Sequence, residues 1–133
     1  MGALSLLGVV VVLVVGLFVF MQIAVARRAR AMRGQVVGSL PGQTGVRIGK
    51  LDHALVYFFS PQCAACRAIT PRVRELAQSN RAVFAVDVMN DMELARALGV
   101  MATPSTVEIE GGKIVGYHIG QIPGAVMQRF AKA

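Results

Sequence analysis

The order of hydrophobic and polar residues divides the chain into three zones. Residues 4–26 form an apolar run without a charged side chain, in which only Ser5 and Gln22 are clearly polar. Residues 27–50 are rich in glycine and show little hydrophobic period. From Leu51 onward, short apolar runs alternate with amphipathic ones, as in a folded domain. We therefore predict an apolar segment over 1–26, a linker over 27–50 and one domain over 51–133.

The apolar run is long enough for a transmembrane helix. Its 23 residues would span about 34 Å as a helix, against a hydrocarbon core of about 30 Å. The alternative is a cleaved secretory signal, since Ala24-Val25-Ala26 resembles a cleavage site. No Lys or Arg precedes the run, and the run is longer than the apolar part of a usual signal. Both features favour a retained single-pass anchor.

The positive charge lies beside the apolar run. Residues 27–50 contain six basic residues and no acid, whereas residues 51–133 contain eight basic and seven acidic residues. The domain itself is therefore nearly neutral, which argues against a nucleic-acid-binding face. Four arginines follow the run within seven residues, so the positive-inside rule predicts a cytoplasmic domain. An extracytoplasmic (periplasmic) domain is the alternative.

The third zone predicts an α/β domain. Within the preceding linker we expect a tether with a short extended piece at 46–48. Gly99 is a natural cap for the second helix, and Gly111-Gly112 favours a hairpin. The order β-α-β-α-β-β-α implies a mixed sheet with helices on both faces. The strands are predicted at 54–59, 82–88, 106–109 and 113–118, and the helices at 63–79, 92–98 and 122–131.

Two cysteines, Cys63 and Cys66, lie at a predicted strand-to-helix junction. A helix N-terminus has unpaired N–H groups and a partial positive charge, which stabilise a thiolate and lower the pKa of a thiol. Three residues apart on a helix, the two sulfurs share one face and can bridge. Cys63 is the candidate nucleophile at the exposed helix start. Cys66, one turn in and more buried, is the candidate resolving thiol.

A metal site is not expected at the cysteine pair. Zinc is commonly held by four ligands, and the histidines His53 and His118 are 65 positions apart. Haem attachment requires a histidine directly after the second cysteine, where Arg67 stands. We therefore expect no cofactor other than a redox-active disulfide between Cys63 and Cys66.

Several other residues have less specific interpretations. We expect Met89, Met92 and Met101 to fill the core, although Met101 is also placed to line an apolar surface near Cys63. Asp87, at the end of a predicted strand, is expected to cap the next turn, with a proton relay near Cys66 as the alternative. Arg67 is expected to be solvated, with stabilisation of a thiolate as the alternative. We expect His53 and His118 at the surface or in the hairpin.

The segment from Phe58 to Arg67, with Cys63 and Cys66 at its centre, resembles the active-site segment of thioredoxin-fold proteins. Other residues fall at the spacing of that family, and the resemblance covers roughly residues 51–133. These residues are Pro71, eight positions after Cys63, the pair Thr103-Pro104, the pair Gly111-Gly112 and Gly120.

The resemblance implies a thioredoxin-like fold, thiol–disulfide exchange and roles for individual residues. Pro104 is expected to follow a cis peptide bond, and Pro71 to kink the active-site helix. Thr103 is expected to offer backbone groups to an extended substrate segment. Pro104, Met101 and Gln62 would complete the substrate-binding surface.

Some positions depart from the family pattern. Ala64-Ala65 stands where ordinary thioredoxins have Gly-Pro, and Gln62 replaces the usual tryptophan. Tyr57 occupies the place of a buried acid. The N-terminal strand and helix of the family are missing or reduced to residues 36–50. These departures indicate a specialised relative that is restricted in its partners.

The predicted function is a membrane-anchored thiol–disulfide oxidoreductase that reduces disulfides in partner proteins and so serves cell redox homeostasis. The expected partners are protein thiols and disulfides and the membrane, with no nucleic acid and no metal. A non-catalytic thioredoxin-fold adaptor at the membrane is the main alternative, and a membrane metal carrier is a third.

Overall fold

The computed structural model describes residues 2–133, which fall into two units divided between Ala31 and Met32. The first unit is almost entirely one helix, α1 (Gly2–Met32). Met1, the first residue of the predicted anchor, lies outside the described residues. The second unit, Met32–Ala133, contains the sheet and the remaining helices.

Helix α1 is longer than the apolar run. Its 31 residues correspond to about 46 Å. The helix continues past the apolar run because no proline or glycine interrupts the chain between Ile23 and Arg33. Its apolar side chains are exposed, and its most apolar window has a mean hydropathy of 3.0. The helix is long and apolar enough to cross a membrane, a property that signal sequences share.

The second unit has the order of elements predicted for residues 51–133, preceded by one further helix. Each boundary from Leu51 onward lies within three residues of the predicted one. The elements are α2 (Gly42–Gly49), β1 (His53–Phe59), α3 (Cys66–Ser79), β2 (Val83–Asp87), α4 (Met92–Ala97), β3 (Ser105–Glu110), β4 (Lys113–Ile119) and α5 (Gly124–Lys132).

The four strands form a mixed sheet in the order β2-β1-β3-β4. Strand β1 is central, parallel to β2 and antiparallel to β3, and β3 pairs with β4 as an antiparallel hairpin. The residues of β1 from Ala54 to Phe59 are all buried, which explains their continuous apolar character. The hairpin turns at Gly111 and Gly112, whose φ angles of 56° and 72° favour glycine.

Helices pack on both faces of the sheet. On one face, α3 and α5 bury Val73 and Phe130 against Leu55, Tyr57 and Phe59 of β1. The alternate residues of β1 point to the other face, where α2 and α4 supply buried side chains. These side chains are Ile48, Leu94 and Ala95.

Residues 42–49 form helix α2, so the extended piece predicted at 46–48 was wrong. Gly45 and Ile48 are three apart on the buried side of α2, and Ile48 is 1% exposed. A Cβ on Gly45 would come within 2.7 Å of Leu40, so glycine permits close packing here. Burial of one apolar residue against the domain outweighs the low helix propensity of the glycines.

The segment before α2 is also part of the second unit. Gly34 N–H donates to Ile114 O at 2.6 Å, and Val37 N–H donates to Gly112 O at 2.7 Å. The compact unit therefore begins at Met32 rather than at Leu51. Much of the predicted linker over 27–50 is folded against the domain, because its backbone groups pair with β4.

Candidate active site

The cysteine segment joins the buried strand β1 to helix α3 through a tight turn. Cys63 N–H donates to Ser60 O at 3.1 Å, and Gln62 N–H donates to Ser60 Oγ at 3.3 Å. These bonds hold residues 60–65 in turns, so α3 begins at Cys66 and not at Cys63 as predicted.

Cys63 and Cys66 form a disulfide, with 5.3 Å between their Cα atoms. Cys63 is half-buried, whereas Cys66 is 2% exposed, which is the order of exposure expected from the sequence. Cys66 N–H points at Cys63 Sγ with an N-to-sulfur distance of 3.2 Å. The first residue of α3 therefore supplies a hydrogen-bond donor to the outer sulfur.

This contact favours negative charge on Cys63 once the disulfide is reduced. The first N–H groups of a helix have no partner within the helix, and they carry its partial positive charge. The first turn of α3 contains no acidic residue, and the exposed Arg67 lies next to Cys66. The helix N–H groups and Arg67 therefore favour the thiolate form of a thiol at this place, and no acid in the first turn opposes them.

The Thr103–Pro104 peptide bond is cis, as predicted from the resemblance. Pro104 is buried and Thr103 half-buried. The next residue, Ser105, begins β3 and pairs with Phe58 near the end of β1. Since β1 leads directly into the cysteine turn, the loop before β3 and the cysteine pair lie at the same end of the sheet.

Met101 and Gln62 are exposed near this end of the sheet, Met101 to 69%. Met89 and Met92 are also exposed, so the prediction that these three methionines fill the core was wrong. Helix α4, which begins at Met92, turns Leu94 and Ala95 inward instead, whereas Met89 and Met101 lie in the loops on either side of it.

Tyr57 lies fully buried beneath the active-site helix. Its hydroxyl is 2.9 Å from Thr70 Oγ1. Burial raises the pKa of Tyr57 above 10.0, while the bond to Thr70 and the charge of Arg74 act in the opposite direction. Tyr57 is therefore a neutral hydroxyl at physiological pH, where the family resemblance places an acid.

Thr70 was not singled out in the sequence, although a signal was present. It follows Cys66 by four residues, which places both side chains on one face of α3.

The residue after Thr70, Pro71, lies inside α3 and is exposed. Its missing N–H leaves the carbonyl of Arg67 without the usual helical donor.

A second polar cluster connects the hairpin with the last helix. Glu108 Oε1 lies 2.7 Å from His118 Nε2, and Glu108 Oε2 lies 2.5 Å from Arg129 Nη2. Glu108 is buried, so these two partners compensate its charge. The prediction for His118 missed this contact, because its partner is ten residues away on a neighbouring strand. His53 lies at the surface, as predicted.

Other predicted side chains have simple positions. Asp87 Oδ1 accepts a hydrogen bond from Met89 N–H at 2.9 Å, so it caps the following turn as predicted.

Within residues 2–133, no group of three or more His, Cys, Asp or Glu side chains is arranged to hold a metal ion. The absence of a metal cofactor stays a prediction.

Comparison with known proteins agrees with this geometry. The thioredoxin family model matches residues 46–133. Thioredoxin-2 of Saccharomyces cerevisiae is 30% identical over 79 residues, covering 58% of this chain and 76% of the relative. The thioredoxin of Bacillus subtilis is 30% identical over 77 residues, covering 56% of this chain and 74% of the relative.

Solved structures give the same result. A mutant thioredoxin from Halobacterium salinarum is 29% identical, with a TM-score of 0.55 over 70% of this chain and 86% of the other. Thioredoxins carry out thiol–disulfide exchange through a cysteine pair of this kind, without a separate cofactor. With the cysteine pair, the mixed sheet and the family match over 46–133 together, the chain belongs to the thioredoxin family of thiol–disulfide oxidoreductases.

Proposed function

We propose that this protein reduces disulfides in partner proteins, with Cys63 as the nucleophile and Cys66 as the resolving thiol. The observation that carries the proposal is the hydrogen bond from Cys66 N–H to Cys63 Sγ at the start of α3. It supports different tasks for the two sulfurs, because the half-buried sulfur receives an N–H donor of the helix and the buried sulfur has little access to solvent.

The reaction proceeds in two exchanges. In the reduced protein, the Cys63 thiolate attacks one sulfur of the partner disulfide, forming a mixed disulfide and releasing the other sulfur as a thiolate, which takes up a proton. Cys66 then loses its proton and attacks Cys63 Sγ. The Cys63–Cys66 disulfide forms, the partner leaves as a dithiol, and two electrons have passed to it.

The loop before β3 is the proposed docking surface for the partner. Thr103 and Pro104 lie at the end of the sheet that carries the cysteine turn, with exposed Met101 beside them. Backbone groups of Thr103 can pair with an extended partner segment, while Met101 and Gln62 contact its side chains. Tyr57 supports the site from the core, and Pro71 shapes helix α3 from an exposed position; neither is proposed to touch the partner.

Helix α1 is proposed to be a single-pass membrane anchor. Its length, its mean hydropathy and its exposed apolar side chains support a spanning helix. The arginines that follow its apolar part favour the cytoplasmic side for the domain. Reporter fusions at residue 133 test the orientation, and activity of an extracytoplasmic reporter would place the domain on the other side.

The experiment that tests the chemistry is a disulfide-exchange assay on the full chain in detergent micelles. We expect Cys63→Ser to abolish reduction of a protein disulfide. In the Cys66→Ser variant, Cys63 should still attack the partner disulfide, but the mixed disulfide should accumulate. Mass spectrometry would detect it as an adduct that a thiol reductant removes. Undiminished activity of Cys63→Ser would contradict the proposal and favour a binding role for the domain.

A further inference from the structure

The two edges of the sheet differ in how they are covered. Residues 34–37 run along the β4 edge, where Gly34 and Val37 donate hydrogen bonds to the hairpin. At the opposite edge, among residues 2–133, β2 pairs with β1 alone. An uncovered edge strand presents unpaired N–H and C=O groups to which another strand can add.

The hydrogen bonds at both ends of the β1–β2 pair show which groups of β2 are available. Leu55 N–H donates to Ala82 O at 2.8 Å, and Val88 N–H donates to Phe59 O at 2.9 Å. In a parallel ladder, alternate residues of a strand bond to the same neighbour. The intervening residues therefore turn their backbone groups outward, and these residues are Val83, Ala85 and Asp87.

Part of this outward edge is already satisfied locally. Val83 N–H donates to Asn80 O at 3.2 Å, and Asp87 O accepts from Asn90 and Asp91. The groups left are the carbonyl of Val83, both backbone groups of Ala85 and the N–H of Asp87. Four such groups along five residues match one short, extended segment.

Two arginines stand on either side of this edge, at a groove of about 800 Å³. The guanidinium carbon of Arg47, on α2, lies 5.2 Å from the ring centre of Phe84. That of Arg74, on α3, lies 5.0 Å from the ring centre of Phe59. A stacked guanidinium keeps its N–H edge available for a carboxylate. Among the residues described here, ion pairs within 4.0 Å form only at Glu108, so neither arginine has an ion-pair partner there.

The groove also contains two carboxylates, those of Asp87 and Asp91. Each of them is engaged in a local cap: Asp87 Oδ1 accepts a hydrogen bond from Met89 N–H at 2.9 Å, and Asp91 Oδ1 accepts one from Leu94 N–H at 3.3 Å. The two arginines are therefore the charged groups of the groove that are left to pair with a ligand.

The positions of the arginines define the spacing of their ligands. Phe59 is in register with Asp87, so Arg74 lies at the level of Asp87 and Arg47 at the level of Phe84. The two levels are three residues apart, on opposite faces of the sheet. Side chains three apart on a strand also point to opposite faces. We propose that the β2 edge binds an extended segment of a partner protein with two acidic side chains three positions apart.

A second copy of this chain fits the edge less well. Two-fold antiparallel pairing about Ala85 would set Phe84 opposite Val86 of the other copy. The two Phe84 positions, and with them the two Arg47 side chains, would be offset by about 7 Å along the strands. Like charges at that distance oppose self-pairing, whereas a partner carboxylate is attracted by each arginine.

The proposed strand site lies beside the active end of the sheet, because β2 ends at Asp87 next to the end of β1. A partner strand bound there would be held close to the cysteine turn without contacting Cys63. The site does not depend on the redox step, so binding can be tested in a chain that cannot react.

The test uses the peptide acetyl-Thr-Glu-Val-Val-Glu-Thr-amide and the full chain, isotopically labelled, in detergent micelles. We expect the peptide to shift the backbone amide signals of Ala85 and Asp87, in wild type and in Cys63→Ser alike. The double variant Arg47→Gln/Arg74→Gln should weaken binding by about tenfold. The matched control Arg72→Gln/Arg96→Gln, with the same loss of charge outside the groove, should bind as wild type.

The variant Ala85→Pro removes an outward N–H and no bond to β1, so it should prevent binding. If it does not fold, the double arginine variant still decides the matter. Equal binding of a peptide with Gln in place of Glu, or shifts confined to residues away from β2, would overturn the proposal. Concentration-dependent self-association that Ala85→Pro abolishes would also overturn it, in favour of a second copy.

Discussion

At the scale of single residues, Tyr57 distinguishes this site from the family pattern. It lies in the hydrophobic cluster that also contains Cys66. Its hydroxyl bonds to Thr70, and burial raises its pKa. A neutral hydroxyl pair therefore lies between β1 and α3, and Tyr57 brings no negative charge to the core beneath the active-site helix.

The raised pKa of Tyr57 predicts a loss of stability at high pH. Above pH 10 the unfolded chain releases the tyrosine proton while the folded chain keeps it. The unfolded state then binds fewer protons, so the free energy of unfolding falls as pH rises. Below pH 10 both states hold the proton and this contribution is constant.

Urea denaturation of wild type and Tyr57→Phe tests this expectation. Near neutral pH the substitution should cost about 1 kcal/mol, because Thr70 loses its hydrogen-bond partner. The difference should shrink as the pH rises past 10. Parallel stability curves for the two proteins across this range would contradict the assignment.

At the scale of elements, α2 shows that the predicted linker contributes to the core. Ile48 is 1% exposed, whereas Val46 on the same helix is 55% exposed. We expect Ile48→Ala to lower the free energy of unfolding by about 2–5 kcal/mol. Val46→Ala is the matched control and should change it by less than about 0.5 kcal/mol. Equal effects would mean that α2 does not pack against the domain in solution.

Glu108 joins three elements, because its carboxylate on β3 meets His118 on β4 and Arg129 on α5. We expect Glu108→Gln to destabilise the fold by roughly 1.5–3 kcal/mol, the range for hydrogen bonds to a charged group. Glu110→Gln, at an exposed position of the same strand, is the control. A stability unchanged by Glu108→Gln in thermal or urea unfolding would show that the cluster adds nothing.

At the scale of the whole molecule, the chain combines a long apolar helix with a compact unit from Met32 to Ala133, within which residues 46–133 match the thioredoxin family. If α1 is a retained anchor, the full chain stays with membranes after alkaline carbonate extraction. A chain without residues 2–31 should appear in the soluble fraction. A mature protein whose mass shows cleavage after Ala26 would instead identify the helix as a signal sequence.

The local chemistry of this protein was readable in the sequence. Apolar runs, turn residues and helical spacing follow from neighbours a few positions apart, so they predicted the strands and helices from Leu51 onward. The cysteine pair and Thr103-Pro104 likewise indicated the family and the place of the reaction. The helix over the apolar run required only its length and the absence of charge.

Contacts between distant segments were decided by the tertiary structure alone. The sequence predicted a flexible tether over residues 34–49, because their glycines weaken any local pattern. In the structure these residues belong to the domain, because Ile48 is buried and the backbone of the segment pairs with the β3–β4 hairpin. Glu108 contacts His118 and Arg129, and Arg47 lies opposite Arg74 across the edge of β2. No periodicity encodes such pairs, because the free energy that fixes them comes from side chains brought together only when the sheet has formed.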